Sequence, residues 1–415
     1  MHIVRTLLGL LVVASSAVAA EPATWTQWRG PYRDGHVRGP AWPDKISGDA
    51  LKLVWRVDKL GPSYSGPIVA ADRIFTTQTV DKKMEVVTAY DRKTGKELWK
   101  TSWEGAITVP FFAAKNGSWI RSTPAFDGKT LFVAGMRDVL VALDGATGRE
   151  LWRLDFVKEC GTPPPDFGFV CSPLVDDTGV YVQAGGGVAK VDKKTGKILW
   201  QTLKDGGGMM GSAFSSPVVA RLAGTDQLVV QTRTQLAGVE RDSGKVLWSK
   251  EIPSFRGMNI LTPLPFGDDG IFTSTYGGNT RLLQIKSAGG QYTTADAWTL
   301  KYEGNMSTPV VLEDHAYLLG KDKRLVCVDL KTGREAWRTE ERFGDYWSLV
   351  ANKDKILALD NRGILFLIKA NSREFELLDK RQLDTNDTWA HLAVCGDEIV
   401  IRDLNGLTVW RWLSK

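Results

Sequence analysis

The chain has 415 residues, 43% hydrophobic and 24% charged, with 53 Lys and Arg against 48 Asp and Glu. That balance excludes wholesale disorder, and a net charge of +5 with no basic block gives nucleic-acid binding no support. Only 4 His argue against a His-based metal site, while 42 Gly and 16 Trp point to turn-rich β structure.

Residues 1–20 read as a secretory leader. Arg5 supplies the positive start, Leu7 to Val13 a short apolar run broken by Gly9, and Ala17-Val18-Ala19 a small-residue cleavage site. The run falls short of the roughly 20 residues a membrane span needs, and no longer one follows. A periplasmic or secreted chain without a transmembrane segment is therefore expected after cleavage. No Cys lies near the cleavage site, so lipid attachment is not expected there. Residues 21–50 read as an extended segment and 51–415 as one domain.

A nine-residue unit recurs from Asp91 to Trp99, Asp144 to Trp152, Asp192 to Trp200, Glu240 to Trp248 and Asp329 to Trp337. Its pattern is acidic-x-x-[Thr/Ser]-Gly-[Lys/Arg]-x-x-Trp. An alternating apolar strand precedes each acid. The acid and Thr can hydrogen-bond turn amides, and Gly takes the positive φ, so the unit predicts a hairpin. A second unit comes before it: Gly66-Pro67, Thr123-Pro124, Ser172-Pro173, Ser216-Pro217, Thr262-Pro263 or Thr308-Pro309, followed by two apolar runs. Together they make four strands, a to d, with Trp on d. Degenerate copies start at Ser348 and His391, and the copy at Thr262 has a swollen hairpin ending at Trp298. Eight copies at this period predict an all-β, eight-bladed β-propeller of four-stranded antiparallel blades. The last copy has three clear strands, and Leu51 to Val57 reads as an orphan d strand that closes the ring. Closure removes sheet edges that would otherwise invite aggregation.

This repeat resembles that of pyrroloquinoline-quinone (PQQ) type propellers over about residues 50 to 412. The start Trp25-Thr-Gln-Trp28-Arg-Gly-Pro31-Tyr-Arg-Asp-Gly35 is similar to that of exported bacterial members. The resemblance implies one of two functional types: quinoprotein dehydrogenases with PQQ and calcium in the ring centre, or non-catalytic assembly scaffolds of the BamB type. It also implies that Trp99, Trp152, Trp200, Trp248 and Trp337 dock structurally between blades. The adjacent Cys pair of the alcohol-oxidising members and a C-x-x-C-H haem motif do not occur in the sequence. Asp176-Asp177 and Asp268-Asp269 are the acidic doublets a calcium site would draw on, and both read as turn residues. Gly206 to Gly211 matches G-x-G-x-x-G but is followed by a strand-like run rather than the helix that motif requires.

Cys160 and Cys171 flank a Pro-rich loop, and either a bridge between them or two free thiols suits an exported chain. Cys327 and Cys395 lie in apolar runs and read as buried thiols. The b–c turns and d–a connections share one face of the ring, where the long connections and Arg137, Arg233, Lys321, Arg324, Arg362 and Arg402 are expected. Such loops commonly carry binding. The leading reading is a monomeric, non-catalytic scaffold that binds an envelope protein or peptide. The alternatives are a PQQ-dependent oxidoreductase and a channel that binds a glycan or small ligand through Trp103, Trp119 and Trp347. No catalytic residue is assigned, and PQQ and calcium belong to the oxidoreductase alternative only.

Overall fold

The computed structural model describes residues 23–206 and 212–413; the leader and residues 207–211 of the glycine-rich stretch lie outside them. Eight four-stranded antiparallel sheets form an eight-bladed β-propeller. Blades 1 to 7 follow in chain order: 68–104, 125–155, 174–202, 218–251, 264–300, 310–338 and 347–382. Blade 8 takes three strands from the carboxyl end, Ala393–Cys395, Glu398–Arg402 and Gly406–Trp412. Its fourth is Leu51–Asp58, which pairs antiparallel with Gly406–Trp412 from Leu51 opposite Trp412 to Asp58 opposite Gly406. The orphan strand thus closes the ring. Among the described residues the one α-helix is Phe156–Cys160, capped by the Asp155 carboxylate on the Lys158 amide.

The repeated turn works through its acid. Asp91 Oδ1 accepts the Lys93 and Thr94 amides (3.1 and 2.8 Å) and the Thr94 hydroxyl (2.7 Å). Asp144 and Asp192 repeat the arrangement. These bonds, the Thr hydroxyl's first, hold the three exposed carboxyls below the usual aspartate range.

Each turn then receives the Trp of the preceding blade. Trp99 Nε1 donates to Gly145 O, Trp152 Nε1 to Lys193 O and Trp200 Nε1 to Arg241 O, at 3.1, 2.9 and 3.1 Å. The rings lie so close over Gly148, Gly196 and Gly244 that a Cβ there would approach within 2.4, 2.7 and 2.7 Å. Trp337 Nε1 reaches Asn371 O at 2.8 Å in blade 7. Trp55, on the closing strand, repeats the contact over Gly95 and donates to Arg92 O at 3.0 Å. Trp248 docks between blades but finds a different acceptor. It packs in the apolar cluster between blades 4 and 5, but its Nε1 donates to Gln227 of its own blade at 2.7 Å. The reason is the swollen Thr280–Leu300 hairpin of blade 5, which replaces the acceptor turn.

The Ser/Thr before each Pro has a second role. Thr123 Oγ1 accepts Gly66 N, Ser172 Oγ accepts Thr123 N, and Ser216 Oγ accepts Ser172 N, at 2.8, 3.0 and 2.9 Å. Thr308 Oγ1 accepts Thr262 N at 3.2 Å. The hydroxyls belt neighbouring inner strands around the channel, where the backbone amides would otherwise lack partners.

Cys160 and Cys171 are free thiols, the second of the two alternatives their spacing left open. Cys171 Sγ is buried and accepts the Gln183 amide at 3.4 Å, while Cys160 Sγ accepts Gln201 Nε2 at 3.6 Å. Burial pushes the Cys171 thiol up to about 12. Cys327 and Cys395 are buried free thiols, as their apolar strands predict.

Candidate functional site: an aromatic funnel on a plugged channel

The channel is filled from the a–b side by the chain's own amino-terminal segment. Trp25 bridges Val69 of blade 1, and Gln27 exchanges two hydrogen bonds with the Val175 backbone of blade 3. Arg29 donates to Thr308 O (3.1 Å) and Pro309 O (2.7 Å) of the blade 6 inner strand. Arg33 donates to Ser172 O, Pro173 O and Pro217 O at 3.0, 2.7 and 2.8 Å. Both arginines are buried, and burial lowers each to about 10. The inner strands turn carbonyls toward the channel, and two guanidinium forks satisfy them across the ring.

Above this plug a funnel of about 190 Å³ opens between the d–a connections. Its floor is Trp28, backed by Arg29 and Arg33 at 5.7 and 6.0 Å from the ring centroid. Its wall is one residue per blade, two positions before the belt: Tyr64, Arg121, Val170, Phe214, Ile260, Met306, Tyr346 and Trp389. Trp389 stacks on Tyr346 (5.6 Å, 20°) and lies 5.5 Å from Tyr64. Arg121 donates to Gly117 O at 2.5 Å, lies 5.2 Å from the Tyr64 ring centroid, and is lowered by burial to about 10. Burial, then Arg29, lowers His391 to about 3, so its imidazole is neutral.

From the funnel an aromatic series runs to the rim. Phe214 meets Phe167 (5.7 Å), Phe167 meets Phe112 (6.4 Å), and Phe112 meets Phe111 (5.6 Å). Phe111 is 90% exposed, and Phe112 and Phe255 are each 51% exposed, on short 3-10 turns of the d–a connections.

Four of the expected rim cations stand beside acidic partners. Arg233 pairs with Asp205 (2.9 Å), Lys321 with Glu303 (2.7 Å) and Arg362 with Asp360 (2.6 Å), and Arg137 stands 3.9 Å from Glu104. Arg324 is half-buried. Arg402 is not on this surface: it is fully buried and donates to the carbonyls of Gly61, Thr77, Asp403 and Gly406. Two of the three aromatics suggested for a ligand are also structural. Trp103 is buried with Nε1 on Glu85 (2.7 Å), and Trp347 is buried 4.3 Å from Phe343. Trp119 stands edge-on to Tyr64 at 5.6 Å.

The funnel lining does not fit calcium. It includes no Asp, Glu, Asn or Gln, whereas calcium requires several converging oxygen ligands. Among the described residues no cluster of three His, Cys, Asp or Glu is placed to hold a metal. Asp176 accepts turn amides and Arg241, and Asp269 accepts Gln284.

The family profile described as "Outer membrane protein assembly factor BamB" matches residues 82–339, more than half of the chain. The chain belongs to this family. BamB of Shewanella oneidensis is 22% identical over 369 residues, covering 84% of this chain and 85% of that protein. The crystal structure of BamB from Moraxella catarrhalis superposes with a TM-score of 0.62 at 15% identity, covering 88% of this chain and 98% of that one, and so shares the fold. A polyvinylalcohol dehydrogenase of a Sphingopyxis species is 29% identical over 192 residues, but these cover 43% of this chain and 28% of that enzyme.

Sequence reasoning missed the wall and the plug. Aligning the copies on the Ser/Thr-Pro step and reading two positions back would have found the wall; no local signal marks the plug.

Proposed function

We propose that this chain is a non-catalytic scaffold of the cell envelope that docks a polypeptide partner on its funnel face. The observation that carries the reading is the continuous aromatic path from exposed Phe111 and Phe112, through Phe167 and Phe214, into the funnel. Exposed aromatics beside a concave apolar site are the composition of interaction surfaces. The relatives' name, outer membrane protein assembly factor, supports an assembly role, and the leader-like residues 1–20 support a periplasmic or secreted location. Arg137, Arg233, Lys321, Arg324 and Arg362 would form the polar border of the docking face, the chain acting as a monomer.

The test is in-cell cross-linking of the wild type and of a Phe111→Ser, Phe112→Ser, Phe255→Ser variant. These side chains are exposed, so the variant should keep its thermal midpoint and lose its cross-linked envelope partners. Unchanged capture, or dye-linked oxidation after adding PQQ and calcium, would overturn the reading.

A further inference from the structure

Resting on that docking reading, we infer that the funnel is a socket for one aromatic side chain of the partner, with an acidic neighbour in the same segment drawn to Arg121. Size comes first. A dry apolar cavity of about 150 Å³ accepts a single benzene ring, and this funnel offers about 190 Å³. One Phe, Tyr or Trp side chain fits that space.

Chemistry comes second. The Trp28 floor and the Tyr346–Trp389–Tyr64 wall offer the faces and edges that aromatic pairs prefer. Met258 and Met306 also line the funnel, as adaptable thioethers that favour sulfur–aromatic contact. A linear alkyl chain would fill the volume but forgo both contacts.

Charge comes third. Arg121 brings a guanidinium into an otherwise apolar wall, beside the Tyr64 ring. Its Nη2 is already given to Gly117 O, and the positive charge of the group favours a carboxylate over a cation. A basic residue next to the anchor would meet like charge in a poorly screened site. The preferred motif is thus an aromatic residue adjoining Asp or Glu in an extended segment, with its backbone free to run across the rim past Phe112.

Three amide-capped probes test this: acetyl-Asp-Phe-amide, acetyl-Asp-Leu-amide and acetyl-Lys-Phe-amide, titrated into the full chain. Perturbation of tryptophan fluorescence and of indole N–H resonances is the readout. Asp-Phe should bind about tenfold or more tighter than Lys-Phe, in line with a charge-assisted hydrogen bond, and several-fold tighter than Asp-Leu. Arg121→Gln should bring Asp-Phe and Lys-Phe together. Met306→Trp fills the socket and should abolish binding, with Val170→Phe as a second filling variant should the first fail to fold. Asp-Phe bound no better than Asp-Leu, or bound equally by a folded filled variant, would overturn the inference. So would no Asp-Phe binding at millimolar concentration. If the rim variant loses its partners while no probe enters the funnel, the docking reading survives and the socket falls.

Discussion

Arg29 Nη2 donates to the carbonyl of Pro309 at 2.7 Å, although 280 residues separate them. The same guanidinium reaches Thr308 O and Asp34 O, each at 3.1 Å. A short segment near the amino end thus satisfies the inner backbone of a distant blade. Arg29→Met keeps the volume but strands those buried acceptors. We expect a loss of about 2–4 kcal/mol, read as a lower denaturant midpoint, with little rescue by Arg29→Lys because an ammonium cannot fork across the same carbonyls. An unchanged midpoint would show that the plug is ornamental.

Gly148 and Gly128 separate docking from backbone strain. Both have positive φ, +74° and +95°. A Cβ at Gly148 meets the Trp99 ring at 2.4 Å, whereas at Gly128 nothing lies within 4 Å. Both alanine variants carry the left-handed penalty of about 1–2 kcal/mol. Gly148→Ala should lose about 1–3 kcal/mol more, because the indole must shift. Equal losses in chemical denaturation would mean that the Trp–Gly contact does not hold adjacent blades together.

Asp138 should make stability fall with rising pH. Burial raises its carboxyl to about 6, above the roughly 3.9 of an unfolded aspartate. A folded-state value above the unfolded one leaves its contribution intact at low pH and removes it as pH rises through about 6. The cost above that range is about 2–3 kcal/mol. Asp138→Asn keeps an acceptor for the Gly185 amide, now 2.8 Å from Oδ2, and tolerates the positive φ of 61°. It should be more stable than wild type at pH 8 and match it at pH 4. A parallel pH dependence in the two proteins would refute the assignment.

Thiol labelling checks the cysteines. The half-buried Cys160 should react under native conditions, and the buried Cys171, Cys327 and Cys395 only after unfolding. A wild-type chain that yields only two reactive thiols after denaturation would instead carry a disulfide.

The blade pattern was legible because its chemistry is local. Asp91, Thr94 and Gly95 complete their turn within a few residues, so sequence spacing records it directly. Trp55 was recognisable because its strand was left without a partner. The ion pairs of the basic rim were not legible because charge along a sequence does not show pairing. Lys321 finds Glu303 on the preceding connection, and Arg402 turns inward to backbone carbonyls. The Nε1 acceptor of Trp248 was not legible because it depends on the hairpin of the next blade. The plug was hidden because Arg29 and Arg33 serve carbonyls contributed by several blades, which no window of sequence brings together.

The pairing of Leu51 with Trp412 also has a consequence for biogenesis. The first β-segment to be synthesised must wait, unpartnered, until the last has emerged. A chain cut before Gly406–Trp412 would keep two raw edges instead of one complete circle. Synthesis through Trp412 is therefore a precondition for sealing the ring, and any factor that shields Leu51–Asp58 until then would protect the nascent chain from edge-to-edge association.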